Sequence, residues 1–416
     1  MSQYVIEGGK RLEGELQIEG SKNAVLPIIA ATLLNEDITY IHHCPKIMDV
    51  KIMIQILEEL GCHIEWQDQT LVIDTRHLAT YVLNESLVKK MRSSIILLGA
   101  LMGRCGEAQI SRPGGCQLGA RPIDLHLEAF KQMNVKIVEV DEAIYCKTLH
   151  LQGATINLKF PSVGATENIM LAAAKSEGVT VIHNAAREPE IVDLQDFLVS
   201  CGAKIKGAGT PTILIQGVKK LVGTSYRVIP DRIIAGTYLV AAAMTRGNII
   251  LKDICKPHLK AITQQLEIMG CKIIYDNDSM ILSTPQTLRG IDIVTEPYPG
   301  FPTDMQSQMM ALLCTCQEST SIKENLFEAR FKIVDELKKM GADIEVKGCS
   351  AYIHGGKPLY GRTICAKDLR GGAALVLAGL VAEGITTVEH IEHVERGYQN
   401  IVADLLKLGA RIEERK

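Results

Sequence analysis

The chain has 416 residues, 47% of them apolar, and a formal net charge of −3. That length is too great for one ordinary core and points to two domains. The weak net charge gives no general attraction to nucleic acid or to an anionic membrane surface. No apolar run is long enough to span a bilayer, and the start, Met-Ser-Gln-Tyr-Val-Ile-Glu, has no signal-peptide pattern, so a cytoplasmic protein is expected. The twelve cysteines are scattered, with no paired CxxC spacing, which reads as reduced thiols and gives no zinc site.

Taken in chain order, the elements repeat. Strand-like Tyr4–Glu7 is followed by a buried helix over Ala24–Leu34, a short strand over Ile38–Ile41, and a second helix ending in Leu-Glu-Glu-Leu-Gly-Cys-His-Ile (57–64). The same helix end returns at Phe130–Ile137, Phe197–Ile205, Leu266–Ile273, Leu337–Ile344 and Leu405–Ile412. Its anchors are Gly61, Asn134, Gly202, Gly270, Gly341 and Gly409, spaced 73, 68, 68, 71 and 68 residues apart. Such a period outweighs local propensity as a sign of architecture, and the anchor suits a helix C-cap before a strand. Each unit reads as βαβαββ, with short strands such as Val179–Ile182 and Thr386–Val388 and helices such as Ala373–Ala382, giving an α/β fold with mixed sheets.

The sixth unit stops at Arg411-Ile-Glu-Glu-Arg-Lys416, one strand short. The N-terminal Tyr4-Val-Ile-Glu-Gly-Gly-Lys matches Tyr352-Ile-His-Gly-Gly-Lys, so the N-terminal strand is expected beside the C-terminal unit. This divides the chain into a three-repeat domain over 22–229 and a discontinuous three-repeat domain of 1–21 plus 230–416. The active site is expected in the cleft between them.

Basic residues recur before the second helix of every unit: Lys46, Arg121, Arg187, Lys256, Arg330 and Arg396. Cations at a helix N-terminus oppose the macrodipole, whereas an anionic ligand there would relieve them. Pairing with nearby acids is the plainer reading for Lys46, Arg187 and Lys256, and is weaker for Lys22, Arg121, Arg330 and Arg396. There is no GxxxxGK[ST], and no GxGxxG on a strand-to-helix turn, so neither a nucleoside triphosphate nor a dinucleotide is indicated.

Two residues stand out as catalytic candidates. Cys116 sits in a glycine-rich polar loop, Arg112-Pro-Gly-Gly-Cys-Gln-Leu-Gly-Ala120, with Arg112 and Arg121 close enough in sequence to activate a thiol. Asp304, in Gly300-Phe-Pro-Thr-Asp-Met-Gln306, is either a helix cap or, if Thr303 does the capping, a free general base. His126 reads equally as a packed histidine.

These stretches, together with Ser21-Lys-Asn-Ala24, Ser162-Val-Gly-Ala-Thr166, Asn184-Ala-Ala-Arg-Glu-Pro-Glu190, Asp368-Leu-Arg370 and Arg396-Gly-Tyr398, resemble the UDP-N-acetylglucosamine 1-carboxyvinyltransferase family of enolpyruvyl transferases, from residue 2 to about 413. One departure is Ile234, where an acid is expected. The resemblance implies a two-domain inside-out α/β barrel of six repeats, no cofactor and no metal. It implies transfer of the enolpyruvyl group of phosphoenolpyruvate to the 3-hydroxyl of UDP-N-acetylglucosamine, a committed step toward peptidoglycan, with closure of the loop at 111–121. On it, Cys116 is the proton donor and forms a covalent phosphoenolpyruvate adduct, Asp304 is the base, and Lys22 and Arg396 complete the catalytic set. Lys22, Asn23, Cys116, Arg121, Arg330, Arg370 and Arg396 match the phosphoenolpyruvate positions. Asn23, Arg92, Arg121, Pro122, Ile123, Asp124, Leu125, Ser162, Val163, Gly164, Asp304 and Leu326 match the UDP-sugar positions. The alternatives are the paralogous shikimate-pathway transferase and a non-catalytic UDP-sugar sensor.

Overall fold

All six recurring helix ends close in one way. The anchors Gly61, Asn134, Gly202, Gly270, Gly341 and Gly409 have φ of 103°, 65°, 100°, 106°, 101° and 87°, the left-handed region that glycine and asparagine tolerate best. The next residue then donates its N–H five residues back: Cys62 to Leu57 O, Val135 to Phe130 O, Ala203 to Leu198 O, Cys271 to Leu266 O, Ala342 to Leu337 O and Ala410 to Leu405 O. This Schellman closure satisfies the last carbonyls of the helix and turns the chain into the next strand.

The computed structural model describes residues 2–114 and 122–415. They form two compact units, 20–114 with 122–229, and 2–19 with 230–415. In the first, three helices are apolar and almost wholly buried: Lys22–Ala31, Leu97–Cys105 and Val163–Ala173. In the second, Arg232–Met244, Gln306–Leu313 and Leu369–Val381 are likewise buried and pack on one another. A helix apolar all round belongs inside a core. The second helix of a repeat, such as Met48–Glu59 or Lys256–Ile268, exposes a polar face instead.

Each repeat contributes to a small sheet, mixed in all but the second. In the 20–229 unit, strands Ser225–Arg227, Ile38–His42, Thr70–Asp74 and His63–Gln67 lie in that order, the first pair parallel and the rest antiparallel. The same order recurs with Thr155–Asn157, Val179–His183, Thr212–Gln216 and Lys204–Lys206. The second repeat departs from the expected βαβαββ. Its sheet has only Glu107–Ser111, Ala143–Lys147 and Lys136–Val140, and the opening strand is reduced to one bridge, Val82 to Gln109. A short extra helix, Glu85–Val88, occupies the chain that leads away from that bridge.

Two opening strands serve sheets other than those their sequence position suggests. Glu13–Gln17 precedes helix Lys22–Ala31 yet pairs in parallel with Asn248–Lys252. Ser225–Arg227 precedes helix Arg232–Met244 yet pairs with Ile38–His42. The N-terminal strand Gln3–Glu7 lies between Ile385–Glu389 and Arg411–Arg415, antiparallel to both, and supplies the strand that the last repeat lacks. No helix among the described residues is long and apolar enough to cross a membrane.

Candidate active site

Asp304 lies in a one-turn 3-10 segment, Thr303–Met305, just ahead of helix Gln306–Leu313. Neither Thr303 nor Asp304 caps that helix with its side chain, so the expected division of labour does not hold. The Thr303 hydroxyl donates to Glu324 Oε2 at 2.9 Å. Each Asp304 oxygen is taken by a different arginine: Oδ1 accepts from Arg330 Nη2 at 2.9 Å and Oδ2 from Arg370 Nη2 at 2.8 Å. Both arginine side chains are 3% exposed, while that of Asp304 is 27% exposed. The carboxylate is thus a partly exposed group on a buried cationic base.

The burial of two guanidinium groups needs a local reason. Asp368 caps helix Leu369–Val381 by accepting from the N–H groups of Arg370 and Gly371, which fixes the backbone from which Arg370 reaches Asp304. Burial pulls the Arg370 guanidinium down, but the charge and hydrogen bond of Asp304, together with Tyr398 and Asp231, leave it above its usual range. Arg330 also donates to the Thr303 carbonyl at 3.1 Å and stacks 5.6 Å from the Phe327 ring. Arg330 Nε and Arg370 Nη1 are buried donors with no hydrogen-bond partner in the protein. Such groups are costly unless something accepts from them, so this corner suits an anionic ligand.

Glu324, which sequence reasoning missed, organises the loop beside it. It is buried, and its Oε1 accepts from the N–H groups of Leu326 and Phe327 at 2.8 Å and 3.1 Å. That holds Leu326, matched to the UDP-sugar positions, on the same segment as Arg330.

In the 20–229 unit, Lys22 starts a buried helix and Asn23 follows it. Pairing with an acid, the weaker reading for Lys22, is what the structure shows: its Nζ lies 3.0 Å from Asp49 Oδ2, and Asp49 is fully buried in the first turn of helix Met48–Glu59. Arg330 is also paired, with an acid remote in sequence, Asp304. Arg92 opens a 3-10 segment, Arg92–Ile96, with Nη1 3.5 Å from the Pro113 carbonyl.

Ser162 caps helix Val163–Ala173 by accepting from the Ala165 N–H at 3.3 Å. Val163 and Gly164 therefore form the first turn of an eleven-residue helix, the kind of end that receives anions. Ile123 precedes helix Asp124–Gln132, and Asp124 complements its dipole. His126 is a packed histidine: it is buried, and its Nδ1 lies 2.7 Å from Asn168 Nδ2. A Cβ on Gly164 would come within 3.3 Å of His126 Cε1, so the ring lies directly under that helix start.

The remaining second-position cations divide. Lys46 lies 5.0 Å from the Trp66 ring and Lys256 4.3 Å from that of Tyr275, while Arg187 Nε donates to the Gly209 carbonyl. Arg396 is not at a helix start; it falls in the turn before Ile401–Lys407. Cys116 and Arg121 lie outside the described residues. The lead-in to their loop is anchored: Arg112 pairs with Glu139 on a neighbouring strand, and a Cβ at Gly114 would meet the Lys89 carbonyl at 2.0 Å. Arg112 is thus committed to a carboxylate. Ile234, where an acid was expected, is buried in the Arg232–Met244 core helix.

The family described as EPSP synthase (3-phosphoshikimate 1-carboxyvinyltransferase) matches residues 6–405. The chain is 50% identical over 413 residues to UDP-N-acetylglucosamine 1-carboxyvinyltransferase 2 of Caldanaerobacter subterraneus subsp. tengcongensis, covering 99% of each protein. It is 48% identical over 406 residues to UDP-N-acetylglucosamine 1-carboxyvinyltransferase of Finegoldia magna, covering 97% of this chain and 96% of that one. Among solved structures, the enolpyruvyl transferase NikO from Streptomyces tendae superposes with a TM-score of 0.89 at 25% identity, covering 99% and 98%. EPSP synthase from Acinetobacter baumannii gives 0.77 at 21% identity over the whole of both chains, a likeness of fold alone.

Proposed function

The chain belongs to the EPSP synthase family of enolpyruvyl transferases, among its UDP-N-acetylglucosamine 1-carboxyvinyltransferases, and from that premise we propose how its residues carry the reaction. The enzyme transfers the enolpyruvyl group of phosphoenolpyruvate to UDP-N-acetylglucosamine in peptidoglycan synthesis. The observation that carries the acceptor assignment is this near-full-length identity to relatives named for that acceptor.

The reaction adds an alcohol across an enol ether and then eliminates phosphate. A proton goes to the methylene carbon while the acceptor oxygen bonds to the adjacent carbon, which gives a tetrahedral adduct bearing both phosphate and carboxylate. Loss of phosphate and of one methyl proton restores the double bond. One acid, one base and fixed cations are required.

In this reading Asp304 accepts the proton of the 3-hydroxyl, and Cys116 delivers the proton to the methylene carbon; it can also form a covalent adduct with phosphoenolpyruvate, its sulfur bonding to the adjacent carbon while the methylene carbon takes up a proton. The partial exposure of Asp304, on two buried arginines, supports its part. Arg330 and Arg370, each with a buried donor left over, hold the anionic groups of the adduct together with Lys22, Asn23, Arg121 and Arg396. Ser162, Val163 and Gly164 at their helix start take the diphosphate, with Arg92, Arg121, Leu326 and residues 122–125 completing the nucleotide-sugar contacts. The loop at 111–121 closes over the substrates and excludes water. Both substrates are soluble metabolites, and a cytoplasmic location follows.

The test is phosphate release from phosphoenolpyruvate with UDP-N-acetylglucosamine or shikimate 3-phosphate as acceptor. Turnover with the UDP-sugar alone is expected. Turnover only with shikimate 3-phosphate would overturn the assignment.

A further inference from the structure

In the 20–229 unit, one buried amide joins three stretches assigned above to the nucleotide sugar. Asn168 is wholly buried in the second turn of helix Val163–Ala173. Its Oδ1 accepts from the Gly99 N–H at 2.7 Å, and its Nδ2 donates to the Ile95 carbonyl at 2.9 Å. Residues 95 and 99 stand at the spacing that an unbroken α-helix would bond directly. The chain changes there from the 3-10 segment Arg92–Ile96 to helix Leu97–Cys105, and the Asn168 amide bridges the junction. Gly99 makes room for it: an added Cβ would meet the Asn168 carbonyl oxygen at 2.3 Å and Oδ1 at 2.6 Å.

These backbone partners fix which way the amide points, since the Gly99 N–H can only donate and the Ile95 carbonyl can only accept. The second Nδ2–H then goes to His126 Nδ1, 2.7 Å away. Nδ1 accepts, so the ring proton of His126 is on Nε2. His126 is buried in the first turn of helix Asp124–Gln132. Its ring lies against the start of the helix that carries Asn168: a Cβ on Gly164 would be 3.3 Å from Cε1 and 3.6 Å from Nε2. The three hydrogen bonds therefore tie together the segment opened by Arg92, the helix that follows Pro122 and Ile123, and the helix start at Ser162, Val163 and Gly164.

We propose that Asn168 is a positioning residue for UDP-N-acetylglucosamine: buried out of reach of the substrate, its amide holds these three stretches in register and sets the tautomer of the histidine packed beneath Gly164. The proposal rests on the reading that Arg92, residues 122–125 and Ser162, Val163 and Gly164 hold the nucleotide sugar. An amide is needed at this point because it offers one acceptor and two donors from a single planar group. A buried network of this kind fixes geometry only when every member is satisfied.

Calorimetric titration of UDP-N-acetylglucosamine into the full-length enzyme, initial rates over both substrates and thermal melting test this. Asn168→Asp is nearly isosteric and still accepts from Gly99, but supplies at most one proton where two are needed. It is expected to weaken UDP-N-acetylglucosamine about tenfold, the worth of one or two hydrogen bonds, with the KM for phosphoenolpyruvate at saturating UDP-sugar unchanged. His126→Leu removes only the third partner at similar volume and is expected to weaken the same ligand about threefold; it decides the matter if Asn168→Asp does not fold. In nitrogen-15 spectra of the histidine rings, the signal that disappears in His126→Leu should report the Nε2–H tautomer in the wild type and lose it in Asn168→Asp. Wild-type affinity in the folded variants, with any loss confined to the melting temperature, marks a purely structural residue and overturns the proposal. An Nδ1–H tautomer in the wild type overturns it too. Arg92→Ala separates the two readings: weakened UDP-sugar binding there beside wild-type binding in Asn168→Asp defeats only this inference, whereas wild-type binding in Arg92→Ala defeats the site assignment on which it rests.

Discussion

Arg370 Nη2 donates to Asp304 Oδ2 at 2.8 Å from a guanidinium almost closed to solvent, while the carboxylate keeps an exposed edge. Replacing one partner of such a pair strands the other. Asp304→Asn keeps the shape but not the charge, and leaves Arg330 and Arg370 facing an amide. Turnover is expected to fall by about 10²–10⁴-fold, the usual worth of a positioned base, with a lower melting temperature. Steady-state phosphate release and a thermal melt read both effects.

Lys22 depends on Asp49 for its place, with 3.0 Å between Nζ and Oδ2. Asp49→Asn is nearly isosteric and removes only the charge. We expect kcat/KM for phosphoenolpyruvate to fall about tenfold, a loss typical of a misplaced substrate-holding group, while the UDP-sugar KM stays unchanged. Initial-rate measurements over both substrates check this.

A pH effect is expected in the 20–229 unit. Burial pushes the Asp193 carboxyl up to about 7, with its hydrogen bonds from Tyr226 and Ile229 pulling the other way. For an acid whose folded pKa is raised, the folded state keeps its proton where the unfolded chain has lost it. Stability from this group therefore declines as pH rises from about 4 to about 7, by on the order of 1 kcal/mol per pH unit, and is level above. Asp193→Asn can still accept from Tyr226 and does not ionise. Its melting temperature should gain on the wild type between pH 5 and pH 8. A constant difference across that range would refute the shift.

The helix-end glycines differ in cost. Gly202 has φ of 100° and open space around an added Cβ, so Gly202→Ala carries only the left-handed strain, about 1 kcal/mol. Gly61 has the same conformation, but a Cβ there would meet Ala79 N at 2.8 Å and His77 O at 2.9 Å. Gly61→Ala should melt distinctly lower than Gly202→Ala. Denaturant unfolding of the two variants decides it.

These glycines also show what a sequence displays. Their left-handed turn is a local requirement, so the residue type marks it and the repeat is visible. A second left-handed corner, at His43, Asn184, Asp253 and His390 after the strands Ile38–His42, Val179–His183, Asn248–Lys252 and Ile385–Glu389, is filled by three different residue types and escapes notice. The exchange of Glu13–Gln17 and Ser225–Arg227 between sheets is invisible for another reason: a strand carries the same alternation whichever neighbour it joins. In the site, Asp304 was legible from its residue type and setting. Its clamp by Arg330 and Arg370, the Lys22–Asp49 pair and the loop-holding Glu324 were not, because buried partners remote in sequence leave no local mark.

The measurement that bears most directly on the acid–base account is the reaction run in D2O with both substrates. Protonation of the methylene carbon by an exchangeable donor creates a methyl group, and any of its three hydrogens can then leave. Deuterium is therefore expected at the vinyl carbon of the product, and its incorporation should be lost along with turnover in Asp304→Asn. Full turnover in D2O with a vinyl group free of deuterium would contradict addition and elimination, and with it the roles assigned to Cys116 and Asp304.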